Sequence, residues 1–160
     1  MNFGLSIRDA DSFFEQPVSA HRELHEAVQK IRRLLHSELK ADEATMKAIE
    51  ATHAVLILRD QLRRRFEQEE AGGYFDGAIA HRPRIASHAA MLRCQHRELL
   101  DSAERMLPKP DEVDSGSTAL VKLKTDFETF VRYLQAHEAA ENRLLEQVNH
   151  EVPRLSPRAR

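Results

Sequence analysis

From residue 120 onward, one side of the chain repeats at alternating steps of three and four without a slip: Leu120, Leu123, Phe127, Phe130, Leu134, His137, Glu141, Leu144, Val148. That spacing traces one face of an α-helix and excludes a strand, whose faces alternate at every second residue. A long helix with a single apolar stripe has to bury it against other helices. The stripe is apolar except at two positions, so the periodicity carries His137 and Glu141 inward with it.

Three further segments show the same spacing. Ile85, Ala89, Leu92, His96, Leu99, Ala103 and Met106 form one stripe, which turns His96 inward. Ala48, Ala51, Val55, Leu58, Leu62, Arg65 and Glu69 form another, ending in two charged residues. The alternative frame through Ile49 and Leu56 meets Arg59 and Asp60 and fails. His21, Leu24, Val28, Ile31 and Leu35 form the first stripe, with His25 at its flank.

Breakers fall between these segments. The first helix is expected over about residues 18–40, after Pro17, and the second after an N-cap at Asp42, stopping at Gly72 and Gly73. The third is expected from Pro83 until shortly before Pro108, and the fourth over about 118–152. Residues 108–117 (PKPDEVDSGS) read as a surface loop, and 153–160 as a disordered, basic tail. The first sixteen residues carry Phe3, Phe13 and Phe14 and read as a segment covering one end of the bundle. The expected fold is all-α: an up-down-up-down antiparallel four-helix bundle with an N-terminal covering segment, in one domain spanning 1–160.

Composition narrows the function. Lys and Arg number 24 against 26 Asp and Glu, mixed along the chain, which leaves no basic stripe for nucleic acid. The longest apolar run, residues 54–58, is too short to cross a bilayer. A single Cys94 forms no internal bridge, and no leader precedes a cleavage site, so a cytoplasmic location is expected. Nine His in 160 residues is the compositional oddity.

The charged stripe positions need a cause. An ionised carboxylate removed from water costs several kcal/mol unless a cation or strong hydrogen bonds replace its solvation. Two facing carboxylates repel, so something positive must sit between Glu69 and Glu141. Metal sites in bundle cores are assembled from carboxylates and imidazoles on facing helices. Three His and two Glu suit iron, manganese or zinc.

In this order the residues resemble the hemerythrin-like (HHE cation-binding) family. The matching segments are 20–24 (AHREL), 65–70 (RFEQEE), 92–99 (LRCQHREL) and 137–145 (HEAAENRLL), which with their connections cover 18–150. The resemblance implies a four-helix bundle holding non-haem iron. It implies His21 as the first-helix ligand, Glu69 and Glu141 as carboxylates shared between two metals, and His96 and His137 as terminal ligands. It also implies binding or sensing of O2, nitric oxide or iron itself rather than turnover of an organic substrate. Val28, Leu58, Leu62, Leu92 and Leu134 are the residues expected to line an apolar pocket for the diatomic. Two positions depart from the pattern: Arg65 and Leu92 stand where the family has His. Leu92 only removes a ligand, whereas Arg65 sets a permanent charge beside the metal and cannot ligate. One or two iron ions are therefore expected, and Arg65 favours fewer than two.

Plainer readings exist for each feature. His137 and Glu141, one turn apart, can form a core histidine–carboxylate pair. Arg65 can bridge Glu69 and Glu141 as a buried ion pair that replaces the metal's charge, giving a metal-free interaction or regulatory bundle. Other motifs fit poorly. Glu50 and His53 make a single Glu-x-x-His outside the second stripe, and residues 137–141 lack the second His of a zinc-protease H-E-x-x-H.

Overall fold

A computed structural model of the chain describes residues 7–37, 43–71, 83–109, 112 and 116–151, with side chains described from Arg22 to Val148 within those stretches. Four helices account for nearly all of them: α1 Ile7–His36, α2 Ala44–Ala71, α3 Pro83–Met106 and α4 Gly116–Glu151. Among the described residues there is no strand.

Three helices lie close to where periodicity and breakers put them. α3 opens on Pro83, which lacks only an amide that a first turn leaves unbonded, and it closes just before Pro108. α2 stops at Ala71, next to Gly72, and α4 begins at Gly116, slightly ahead of its expected start. α1 differs. It starts at Ile7 rather than near residue 18 and runs through Pro17. A proline inside a helix removes one backbone hydrogen bond and costs about 3 kcal/mol. Residues 7–16 (IRDADSFFEQ) contain no Gly or Pro, so helix continues on both sides of that single defect. The proposed cap at Asp42, the first six residues and the tail 153–160 lie outside the described residues, as do the side chains of Phe13 and Phe14.

Cross-helix contacts give the directions. Arg59 of α2 bonds Glu104 of α3, and further up α2 Glu69 meets His96 further down α3, so these helices run antiparallel. His88 and Gln95 of α3 meet Gln147 and His137 of α4 in the same opposed sense. Leu24 shares a cavity with Arg65, while Lys30 and Arg33 share one with Ile57, which sets α1 against α2. Arg32 grips Glu128 through two bonds of 2.9 and 2.7 Å, tying α1 to α4. α2 and α4 run parallel, since Thr45 abuts Gly116 and Arg65 reaches Glu141. The result is an up-down-up-down four-helix bundle.

The core is split. A large apolar cluster takes its residues from all four helices and includes Ile31, Val55, Leu58, Leu62, Phe127 and Phe130. A small one joins Ile85, Ala89 and Leu92 to Leu144. Along both α3 and α4 the buried polar residues fall between the two clusters: His96 lies between Leu92 and Leu99, and His137 and Glu141 lie between Leu134 and Leu144. Each fully buried Leu or Phe contributes about 1.5–3 kcal/mol, so the apolar layers hold the helices at a fixed spacing around the polar one.

Gly116 pins the far end of the bundle. A methyl at this position would lie 2.6 Å from the Thr45 backbone nitrogen and 2.8 Å from its Cα. Gly116→Ala should therefore destabilise the protein by about 1–3 kcal/mol, because overpacking against backbone exceeds the ~1 kcal/mol that alanine gains in helix propensity. Thermal unfolding by circular dichroism checks this. A Tm equal to or above that of the parent would show that the α2–α4 approach is looser.

Candidate metal centre

Arg65 and Glu69 are one turn apart on α2 and so share a face. The same spacing aligns His137 with Glu141 on α4, and α3 presents His96 between them. Arg65, His96, His137 and Glu141 are all buried. Stripe periodicity thus placed four of its polar members correctly, and Glu69 is 15% exposed at its side chain.

The layer has a cationic half and an imidazole half. In the first, Arg65 Nε donates to Glu69 Oε1 at 2.6 Å and an Arg65 terminal nitrogen donates to Glu141 Oε2 at 2.8 Å. The other terminal nitrogen lies 3.5 Å from Glu138 Oε1. Burial alone would lower the Arg65 pKa, but the charges of Glu141 and Glu69 outweigh it and raise it. Burial works against the Glu69 carboxylate too, yet His96 and Arg65 together lower its pKa, so it stays ionised. The plainer reading of Arg65 as a bridge between Glu69 and Glu141 therefore describes this half of the layer.

In the second half, one donor atom from each of Glu69, His96 and His137 lies within 4.8 Å of the others. Both rings are held from behind. His96 Nδ1 lies 2.9 Å from Glu70 Oε1, and His137 Nδ1 lies 3.0 Å from Gln95 Oε1. Those oxygens only accept, so each Nδ1 carries a proton and each Nε2 faces inward. Phe66 fixes the ring planes by stacking on His96 at 4.0 Å and 7° and meeting His137 edge-on at 5.6 Å. Burial, with help from His96 and Arg65, pushes the His137 pKa down to about 4, so this ring is neutral near pH 7 and its Nε2 offers a lone pair.

Two atoms of the trio are left over. His137 Nε2 and Glu69 Oε2 are buried with no hydrogen-bond partner. His96 Nε2 stands 3.3 Å from that Glu69 oxygen without the alignment of a hydrogen bond. Buried acceptors without donors are rare and cost about 1–3 kcal/mol each. A cation cures all of them at once. Histidines backed through Nδ1 by a carboxylate or an amide oxygen are the arrangement by which proteins orient metal-bound imidazoles. Bonds of about 2.0–2.2 Å to one ion require the three donors to draw in by roughly an ångström from the outer limit of their present spacing.

Of the residues expected at the site, the trio unites Glu69, His96 and His137. Glu141 lies in the same layer but directs its carboxylate to Arg65. His21 lies within α1, and its side chain is outside the described residues. His25 is exposed and lines a cavity between α1 and α4. The five residues expected to line a diatomic pocket divide. Val28, Leu58, Leu62 and Leu134 join the large cluster, and Leu92 joins the small one across the polar layer. Sequence reasoning missed Phe66, Glu70 and Gln95. Each neighbours a stripe position by a single residue, which is the only signal the sequence offers for them.

Comparison with protein-family models, with curated proteins and with solved structures returns no match. The hemerythrin-like resemblance accordingly rests on the order of its four motifs.

Two outcomes follow for the metal-free protein. His137 titrates near 6.5 in the unfolded chain and near 4 in the fold, so on lowering pH the unfolded state takes up the proton first. Its contribution, on the order of 3 kcal/mol, is intact above pH ~6.5 and is lost progressively down to pH ~4. Urea unfolding across that range should show the slope, and His137→Gln should flatten it; an unchanged slope in the variant would contradict the assignment. Arg65→Met leaves buried carboxylates without their cation and should cost about 3–5 kcal/mol by the same measurement. A cost under about 1 kcal/mol, the size of a surface pair, would show that water already solvates those carboxylates.

Proposed function

We propose that this chain is a non-haem iron-binding protein of the hemerythrin-like kind that holds one ion through Glu69, His96 and His137 and binds or senses a small diatomic, O2 or nitric oxide. The observation that supports it is the pair of buried, partnerless acceptors, His137 Nε2 and Glu69 Oε2, facing a third donor on His96. Two imidazoles and one carboxylate with positions left open are the donor set of non-haem ferrous sites. Zinc and manganese accept the same ligands. When bound, ferrous iron would supply an electron-rich centre able to take up a diatomic at an open position.

The chain's own residues do the rest. Glu70 and Gln95 orient the imidazoles, Phe66 stacks on His96 and meets His137 edge-on, and Leu62 and Leu92 are buried in the apolar clusters on either side of the layer. No described helix is long and apolar enough to cross a membrane. A ferrous centre in a chain whose one cysteine, Cys94, is exposed and in no disulfide fits the reducing cytoplasm.

A second reading has its own observation. Arg65 already neutralises Glu69 and Glu141 at 2.6 and 2.8 Å, as a metal-free interaction bundle requires. That reading leaves the two orphan acceptors unexplained. Anaerobic loading with Fe(II), followed by metal analysis and thermal unfolding, separates the two. We expect one ion per chain and stabilisation of about 2.7 kcal/mol at a hundredfold excess over Kd, or roughly 5–10 °C in Tm. His137→Ala and His96→Ala should abolish both effects. Apoprotein that neither retains iron nor shifts in Tm would leave the metal-free reading standing.

A further inference from the structure

Glu69 faces two ways. Its Oε1 accepts the 2.6 Å bond from Arg65, while its Oε2 belongs to the trio with His96 and His137. On its other sides the guanidinium reaches Glu141 at 2.8 Å and Glu138 at 3.5 Å. Three carboxylates from two helices thus converge on one cation whose side chain is only 9% exposed. Carboxylate oxygens are the donors a hard divalent ion takes, with water completing its shell, and here the guanidinium lies among them.

We propose that Arg65 is a resident second cation, filling a carboxylate cage beside the Glu69, His96 and His137 centre so that the chain holds one metal rather than two. The inference rests on the single-metal reading above. A free ion can leave such a cage, but a guanidinium is tethered, always charged and matched to carboxylates through its forked donors. To displace it, an incoming ion would have to strand a buried positive charge. Arg65 also commits Glu69 Oε1, so Glu69 contributes a single oxygen to the neighbouring metal. Three protein donors result, and positions on that ion stay open for an exogenous ligand. Arg65 is therefore a specificity-determining residue for metal count and for ligand access.

The test titrates the wild type, Arg65→Ala and Arg65→His with Fe(II), and separately with Mn(II), under anaerobic conditions, reading stoichiometry by calorimetry and metal analysis. The wild type should saturate at one ion per chain and both variants at two, with Glu141→Gln added to either variant removing only the second. If a variant is unfolded without metal, far-UV circular dichroism should recover its helicity at two equivalents. A folded variant that still saturates at one ion, or a wild type that takes two, overturns the proposal. A wild type that binds none while Arg65→Ala binds metal sinks the single-metal reading and upholds Arg65 as the barrier. Failure of all three chains to bind overturns both.

Discussion

Arg65 holds together a layer of charge that an apolar bundle would otherwise reject. Its guanidinium spans Glu69 and Glu141, which come from helices lying side by side across the centre. The cost of such a layer is several kcal/mol per desolvated ion. It is offset by the pairing itself and by the apolar clusters on either side, where residues such as Leu58, Leu62 and Phe130 have no exposure at all. Polar and apolar layers are mutually dependent. The clusters fix helix spacing closely enough for bonds below 3 Å to form, and the bonds fix helix register so that each cluster packs in one way only.

The same layer separates structural from chemical tasks. Arg65 settles the charge of the carboxylates it bridges, and burial keeps His137 neutral near pH 7. His96 and His137 are turned by partners behind them, and their ring centroids stand 4.9 Å apart at 73°, each in contact with Phe66. Neutral His137, with its proton on the Gln95 side, differs from a buried histidine that merely completes an ion pair, because its inner nitrogen meets no donor. Buried acceptors without donors are rare enough to need an explanation, and in the trio two of them, His137 Nε2 and Glu69 Oε2, belong to one cluster of donor atoms.

Much of this was legible in the sequence, and the limits have physical causes. On α3 and α4 the apolar residues keep to one stripe, so the inward direction of His96, His137 and Glu141 could be read directly. α2 is harder, because Met46, Ile49 and Ile57 remain exposed while Leu58 and Leu62 are buried, and its apolar residues therefore surround the helix. Only the failure of the second frame at Arg59 and Asp60 identified the face bearing Arg65 and Glu69. Periodicity specifies a face and says nothing about rotamers. It could not show that Glu141 accepts a bond from Arg65, nor that Glu70, which is 45% exposed, reaches back to His96. The early start of α1 escaped for a different reason, since a lone proline weakens a helix by less than its flanking residues sustain it.

The most direct measurement is X-ray absorption at the iron edge of the anaerobically loaded protein. The account predicts a light-atom shell of nitrogen and oxygen, an outer-shell pattern from two imidazoles, and no iron–iron scattering. An iron–iron vector, or a shell without imidazole, would contradict it.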